Sequence, residues 1–127
     1  MADLPHFEKI GDRGFYRPEG RVSFEQAIEM GALAMKHARE HGCSDLVINV
    51  RALVGFDSPD VFGRYQLAVR WAESAGNRLR VAIVAPEHLF DPGKIAAVMA
   101  QNRGAMGNSF TLEADAIAWL DSSSRTT

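Results

Sequence analysis

The chain has little sulfur chemistry, almost no charge excess and no long apolar run. Its 127 residues include one cysteine, Cys43, so no internal disulfide can form and a reducing compartment suits it. Cys43 follows Gly42 at an expected helix end and has no identifiable neighbour to activate a thiol, so it reads as a small turn residue. The 14 basic and 16 acidic side chains leave a net charge of -2, which provides no electrostatic footprint for nucleic acid. No apolar stretch approaches the length of a membrane span, and no basic amphipathic helix marks a membrane surface. The opening "MADLPHFEKI" lacks the basic and then apolar pattern of a secretory signal, so the cytoplasm is the expected location. There is no internal repeat and no complete catalytic motif. No cofactor and no enzymatic chemistry are expected.

What is present is an ordinary globular composition, 46% hydrophobic, in a length that suits one domain over 1–127 with a polar tail fraying from about 122. Residues 6–10 and 15–18 read as short strands of a hairpin, separated by the turn-like Gly11-Asp12-Arg13-Gly14, with the second continuing toward Gly20-Arg21-Val22. Ser23-Phe24-Glu25-Gln26 is a capping box that opens a helix. Phe24, Ala27, Ile28, Gly31, Met35 and Ala38 form its apolar stripe, and Gly42 ends it. The β-branched run 46–50 is too short for a helix and reads as a buried strand. Ser58 and Pro59 sit where an N-cap and a first-turn proline belong. Val61, Tyr65, Ala68, Val69, Ala72 and Ala75 give the second helix its inward face.

The run 79–86 is a strand apolar on both faces, which calls for helices on both sides. Asp91-Pro92 opens a third helix to about 100, 107–110 leads an edge strand, and Thr111 caps a last helix with Ala116, Ile117 and Leu120 inward. The expected order is β-β-α-β-α-β-α-β-α: an α/β fold whose sheet is mixed but mostly parallel, its first hairpin antiparallel. Loops at the carboxyl ends of parallel strands carry the sites in such sheets, here 51–58 and 85–91.

The segment "INVRALVGFDSPDVFGRY" resembles the signature of STAS domains, the anti-sigma-factor-antagonist fold. Asn49 matches the amide or acid at the strand end, Leu53 the apolar loop position, and Asp57-Ser58 the pair that opens a helix. Gly20 matches the glycine after the second strand, "RVAIVAPEHLF" the next strand and its loop. "FTLEADAIAWL" resembles the last strand and helix of the SpoIIAA-like branch, with Ala116 to Leu120 on its closing Ala-x-x-Trp-Leu. The resemblance implies a STAS (SpoIIAA-like) fold and a non-catalytic regulatory protein-binding module, whose partner is a kinase or an anti-sigma-like protein. The docking surface would be Phe56, Asp57 and Asp60 with the following helix, including Gly63 and Leu67. Ser58 would be the phosphoacceptor. A phosphoserine brings about -1.5 to -2 charges to a helix N-terminus and would turn a neutral docking surface anionic. Read from the residues alone, Ser58 is also a plain helix cap, and Asp57 and Asp60 would repel a phosphate.

Other residue sets invite chemistry. His37 and His41 lie four apart in "HAREH", the inverted zinc-peptidase pattern, but no third ligand is evident and protonated imidazoles suit a helix C-terminus. His88, Asp91 and Lys94 lie in a strand-end loop able to hold an anion, although turn chemistry explains Pro86, Asp91 and Pro92 without a ligand. Trp71, Trp119, Tyr65, Phe56, Phe62 and Phe90 belong mostly to the core. Because the SpoIIAA-like branch is similar in fold to CRAL-TRIO lipid carriers, the alternative function is a small carrier or sensor with an apolar pocket. Leu33 and Leu67 fall off their helices' stripes and point to a partner or homodimer surface.

Overall fold

The computed structural model describes residues 4–55, 66, 69–71, 73, 74, 79–86 and 106–122, with 106–109 and 122 described by backbone alone. Its strands are β1 (Phe7–Ile10), β2 (Arg13–Tyr16), β3 (Gly20–Arg21), β4 (Asp45–Asn49), β5 (Leu53–Val54), β6 (Arg80–Val84) and β7 (Met106–Phe110). Helix α1 spans Phe24–Glu40 and helix α2 spans Glu113–Ser122, while Gln66, Val69, Arg70, Trp71, Glu73 and Ser74 are also helical. Five strands form one sheet in the order β1-β2-β4-β6-β7, and β3 pairs with β5 in a separate two-stranded ladder. β1 is antiparallel to β2, and every other pairing is parallel. This is the mixed, mostly parallel α/β arrangement expected from the alternation of apolar runs and amphipathic segments.

The central strands β2, β4 and β6 are buried on both faces, as continuous apolar strands require. On one face Tyr16, Leu46, Ile48 and Val81 pack under α1 residues Ile28, Ala32, Met35 and Ala38, together with Trp71. On the other, Phe15, Val47, Ala82 and Val84 pack under Ala116 and Leu120 of α2, flanked by Ile117 and Trp119. Leu46, Val47 and Ile48 are each 0% exposed, so consecutive residues of β4 serve opposite cores.

Helix α1 begins as its sequence dictates. The Ser23 hydroxyl accepts from the Gln26 amide at 3.1 Å, and the Gln26 side chain accepts from the Ser23 amide at 2.8 Å. The helix closes at His41, followed by Gly42 with φ +79. Its buried residues are Ile28, Gly31, Ala32, Ala34, Met35 and Ala38, whereas Phe24 and Ala27, expected on the stripe, are half-buried at the first turn. Gly31 answers a close approach: a Cβ there would overlap the Trp71 indole, whose Nε1 donates to the Ile28 carbonyl at 2.8 Å. Arg70 to Glu29 at 3.0 Å and Arg39 to the Ser74 carbonyl at 2.7 Å complete the docking of that helical segment on α1.

Three expectations need correction. The first turn is Gly11-Asp12 alone, because Arg13 and Gly14 pair with Ile10 and Lys9 in the hairpin. The extension at 20–22 is a distinct strand, β3, which turns away from β2 and pairs with β5. Thr111 does not cap α2. The helix starts one residue later, with the amides of Asp115 and Ala116 on the Leu112 carbonyl, while the Thr111 carbonyl accepts from Arg51 at 2.8 Å. The third-helix expectation at 91–100 lies outside the described residues, and of the tail expected to fray from about 122, Ser122 closes α2 while 123–127 lie outside them.

The amino ends of the central strands share one charged rung. Arg13, Asp45 and Arg80 are Cα partners across β2, β4 and β6. Asp45, 3% exposed, receives Arg80 Nη2 at 2.9 Å on one carboxylate oxygen and Arg13 Nη2 at 3.1 Å on the other. Arg80 also donates to the Leu120 carbonyl at 3.0 Å, and Arg13 reaches Asp121 at 2.9 Å, so the same rung holds the end of α2.

Exchanging a helical glycine for alanine ordinarily gains about 1 kcal/mol. Gly31→Ala is expected instead to lose about 1–3 kcal/mol in urea unfolding, because the methyl group collides with Trp71. Trp71→Leu should remove most of that penalty in a double-mutant cycle. A stabilised Gly31→Ala would contradict the packing.

Candidate functional site

The carboxyl ends of β2, β4 and β7 converge on a polar cluster. β4 ends at Asn49, whose two amide atoms are both used. Its Oδ1 accepts from the Arg51 amide at 3.0 Å, turning the chain, and its Nδ2 donates to Glu113 Oε2 at 3.2 Å. Glu113 lies in the first turn of α2, where a negative charge meets the positive end of the helix dipole. Arg17, just past β2, grips it with two parallel hydrogen bonds, Nε to Oε2 and Nη2 to Oε1, each 2.9 Å. The Arg17 guanidinium also lies 4.9 Å from the centroid of the Phe15 ring and approaches Glu8 at 3.5 Å.

This grip fixes the charge state. Arg17 holds the Glu113 carboxyl below the usual carboxylate range, burial opposes the shift, and Asn49 adds to it. A carboxylate kept ionised with both oxygens engaged has no proton to give and little lone-pair capacity left. The cluster is therefore suited to holding three chain segments in place.

What it holds is a small platform. After Asn49, Val50 donates to the Val84 carbonyl at 2.8 Å, and Leu53 donates back to the Val50 carbonyl at 3.0 Å. Leu53 is buried at 5%, while its neighbour Val54 is 51% exposed. β3 supports them from the side, with the Val22 amide on the Val54 carbonyl at 2.8 Å. Gly55 follows with φ +111, and a Cβ there would sit 2.5 Å from the Val22 carbonyl oxygen, so only glycine closes the ladder. Arg51 ties this platform to Thr111, beside Leu112, which is 57% exposed.

Asn49 is at the strand end, as the resemblance implied, whereas Leu53, expected at an apolar loop position, is buried in the short strand β5. Ser58, Phe56, Asp57, Asp60, Gly63, Leu67, His88 and Asp91 lie outside the described residues. His37 and His41 stack with ring centroids 4.0 Å apart, Phe7 meets His37 edge-on at 4.6 Å, and His41 Nδ1 lies 2.9 Å from the His37 carbonyl. Among the described residues no group of three or more His, Cys, Asp or Glu side chains could hold a metal ion. Trp71 is core and Trp119 half-buried against Phe110, while Leu33 is 52% exposed on α1. Between α1 and the helical segment containing Val69 and Arg70 lies a groove of about 460 Å³, open to solvent, with Ile28 and Val69 inside and Glu25, Glu29, Arg70 and Glu73 around them.

Arg17, Arg51 and Glu113 were not singled out in the sequence. Arg17 and Glu113 are 96 positions apart, and no local pattern joins them. The chain matches no family model, and no curated protein or solved structure matches it.

The Glu113 clamp carries a pH signature. Its folded pKa is depressed, so its contribution is present above the ordinary glutamate value of about 4.3 and is lost as pH falls through the folded value. Arg17 is 44% exposed, so solvent screening limits the contribution to about 1 kcal/mol. Glu113→Gln should be less stable than wild type by that amount at neutral pH in urea unfolding, and the gap should close in strong acid. A gap independent of pH would show that the ion pair is not its source.

Proposed function

We propose that this protein is a non-catalytic regulatory protein-binding module of STAS type, docking through the loops at the carboxyl edge of its parallel strands. The Phe56-Asp57-Ser58 segment and the helix after it would complete the surface, with Ser58 as its switch. One observation carries the proposal: Val54 and Leu112 are 51% and 57% exposed on backbone that is locked from beneath. Arg51 bridges the two segments, and β3, Gly55 and the Asn49–Glu113–Arg17 cluster hold them. Large apolar side chains on a pre-organised loop cost little further ordering when a partner covers them. The strand-helix order, and an amide at the end of β4 directly before this loop, support the STAS reading.

The test is a quantitative pull-down from native cytoplasm. Burying a valine or leucine is worth about 1.5–3 kcal/mol. Val54→Asp with Leu112→Asp should therefore weaken capture of a specific partner by at least about tenfold. Leu33→Asp, on α1, should leave that capture intact. Ser58→Glu should lose the partner and Ser58→Ala keep it if the serine is the switch. A partner set unchanged by the Val54 and Leu112 substitutions, or lost equally with Leu33→Asp, would overturn the proposal.

A further inference from the structure

We infer that the carboxyl-edge platform receives an acidic, apolar segment of a protein partner, with Arg21, beside Val54, and Arg51, beside Leu112, meeting its carboxylates. The inference rests on the docking proposal above and adds the chemistry of the partner. It starts from how the described arginines are used. Arg13, Arg17, Arg70 and Arg80 each hold a carboxylate of this chain, and Arg39 donates to the Ser74 carbonyl. Arg51 is anchored only through Nη1 on the Thr111 carbonyl, and Arg21 forms no side-chain hydrogen bond or ion pair with any described residue. Both are exposed, and both flank the platform. Arg21 is the register partner of Val54 and lies against Gly55, while Arg51 reaches toward Leu112.

Some nearby carboxylates of this chain are already engaged or offset. Glu8 and Glu113 are on Arg17, and Asp115 lies in the first turn of α2, where the helix dipole offsets it. Glu19 and Glu25 are exposed and hold no described cation, and Asp57 and Asp60 lie outside the described residues, but Arg21 and Arg51 are the described arginines that hold no carboxylate and stand beside the exposed apolar side chains. Uncommitted cations beside exposed Val54 and Leu112 fit a segment that mixes Asp or Glu with large apolar side chains. Guanidiniums take carboxylates in forked pairs, and the apolar contact supplies most of the affinity. Nucleic acid fits less well, since its binding relies on neutralising many phosphates in a row.

A phage-displayed random peptide library selected on the full chain tests this. The expected result is enrichment of peptides combining acidic and large apolar residues. Their affinity should fall at least about tenfold with Arg21→Glu and with Val54→Asp, weaken as salt rises, and survive Arg21→Lys. Arg21→Glu disturbs no described side-chain bond, and circular dichroism should confirm that it folds. Peptides that depend on Val54 and Leu112 but ignore Arg21 and Arg51 would overturn the acidic partner while leaving the docking surface in place. Enriched peptides indifferent to all four residues would overturn both. Charge-dependent binding to phosphatidylserine vesicles or a single-stranded oligonucleotide, without such peptides, would replace the protein partner. Self-association lost in Arg21→Glu would replace it with a second copy.

Discussion

The Asp45 carboxylate, nearly sealed from water between Arg13 and Arg80, is the interaction on which the arrangement depends. Taking such charges out of water costs several kcal/mol per ion, and only the mutual geometry of the three groups offsets that cost. The geometry exists in one register alone. The three residues are partners on one rung of β2, β4 and β6, and a one-residue slip of β4 would turn Asp45 toward the α1 face and away from both guanidiniums. A buried charge row of this kind selects among alternative pairings more than it adds net stability.

The rung also sets the placement of α2. Arg13 and Arg17, at the two ends of β2, hold Asp121 and Glu113, at the two ends of the helix. The spans agree: four extended residues cover roughly 13 Å at about 3.3 Å each, and eight helical residues cover about 12 Å at 1.5 Å each. The helix therefore runs antiparallel to β2 across the sheet, with Ala116 and Leu120 pressed on Val47 and Ala82. Its amino end is delivered to the carboxyl edge of the strands, where Glu113 meets Asn49 and where Thr111 and Leu112 stand beside the Arg51 loop. The amino edge of the central strands carries the charged rung, with Asp45 and Arg80 buried. The carboxyl edge is a lattice of polar contacts beneath exposed apolar side chains, where α/β sheets commonly place their sites.

Much of this was legible in the residues. The Ser23–Gln26 box, the Ile28–Gly31–Met35–Ala38 stripe, Gly42 and the apolar runs around Ile48 and Ala82 are local patterns, and each became the element it implied. The misreadings share a cause in long-range contacts. β3 and β5 have two residues each and exist only because Gly20 and Leu53 meet across the fold. Thr111 has a capping side chain, yet a distant arginine occupies its carbonyl and the helix begins beyond it. The clamps Arg13–Asp45 and Arg17–Glu113 join positions 32 and 96 residues apart, which no spacing rule links. Asn49 was singled out by the resemblance of its segment to a known signature, whereas nothing in the sequence marked Glu113 as its partner.

The most direct measurement is the unfolding free energy of Asp45→Ala in urea, followed by Trp71 fluorescence. If Asp45 is the keystone of the rung, its removal takes from Arg80, 6% exposed, the carboxylate that meets its buried guanidinium, and stability should fall by about 3–5 kcal/mol. A loss below about 1 kcal/mol, in the range typical of surface ion pairs, would contradict the account and place the determinant of register elsewhere in the sheet.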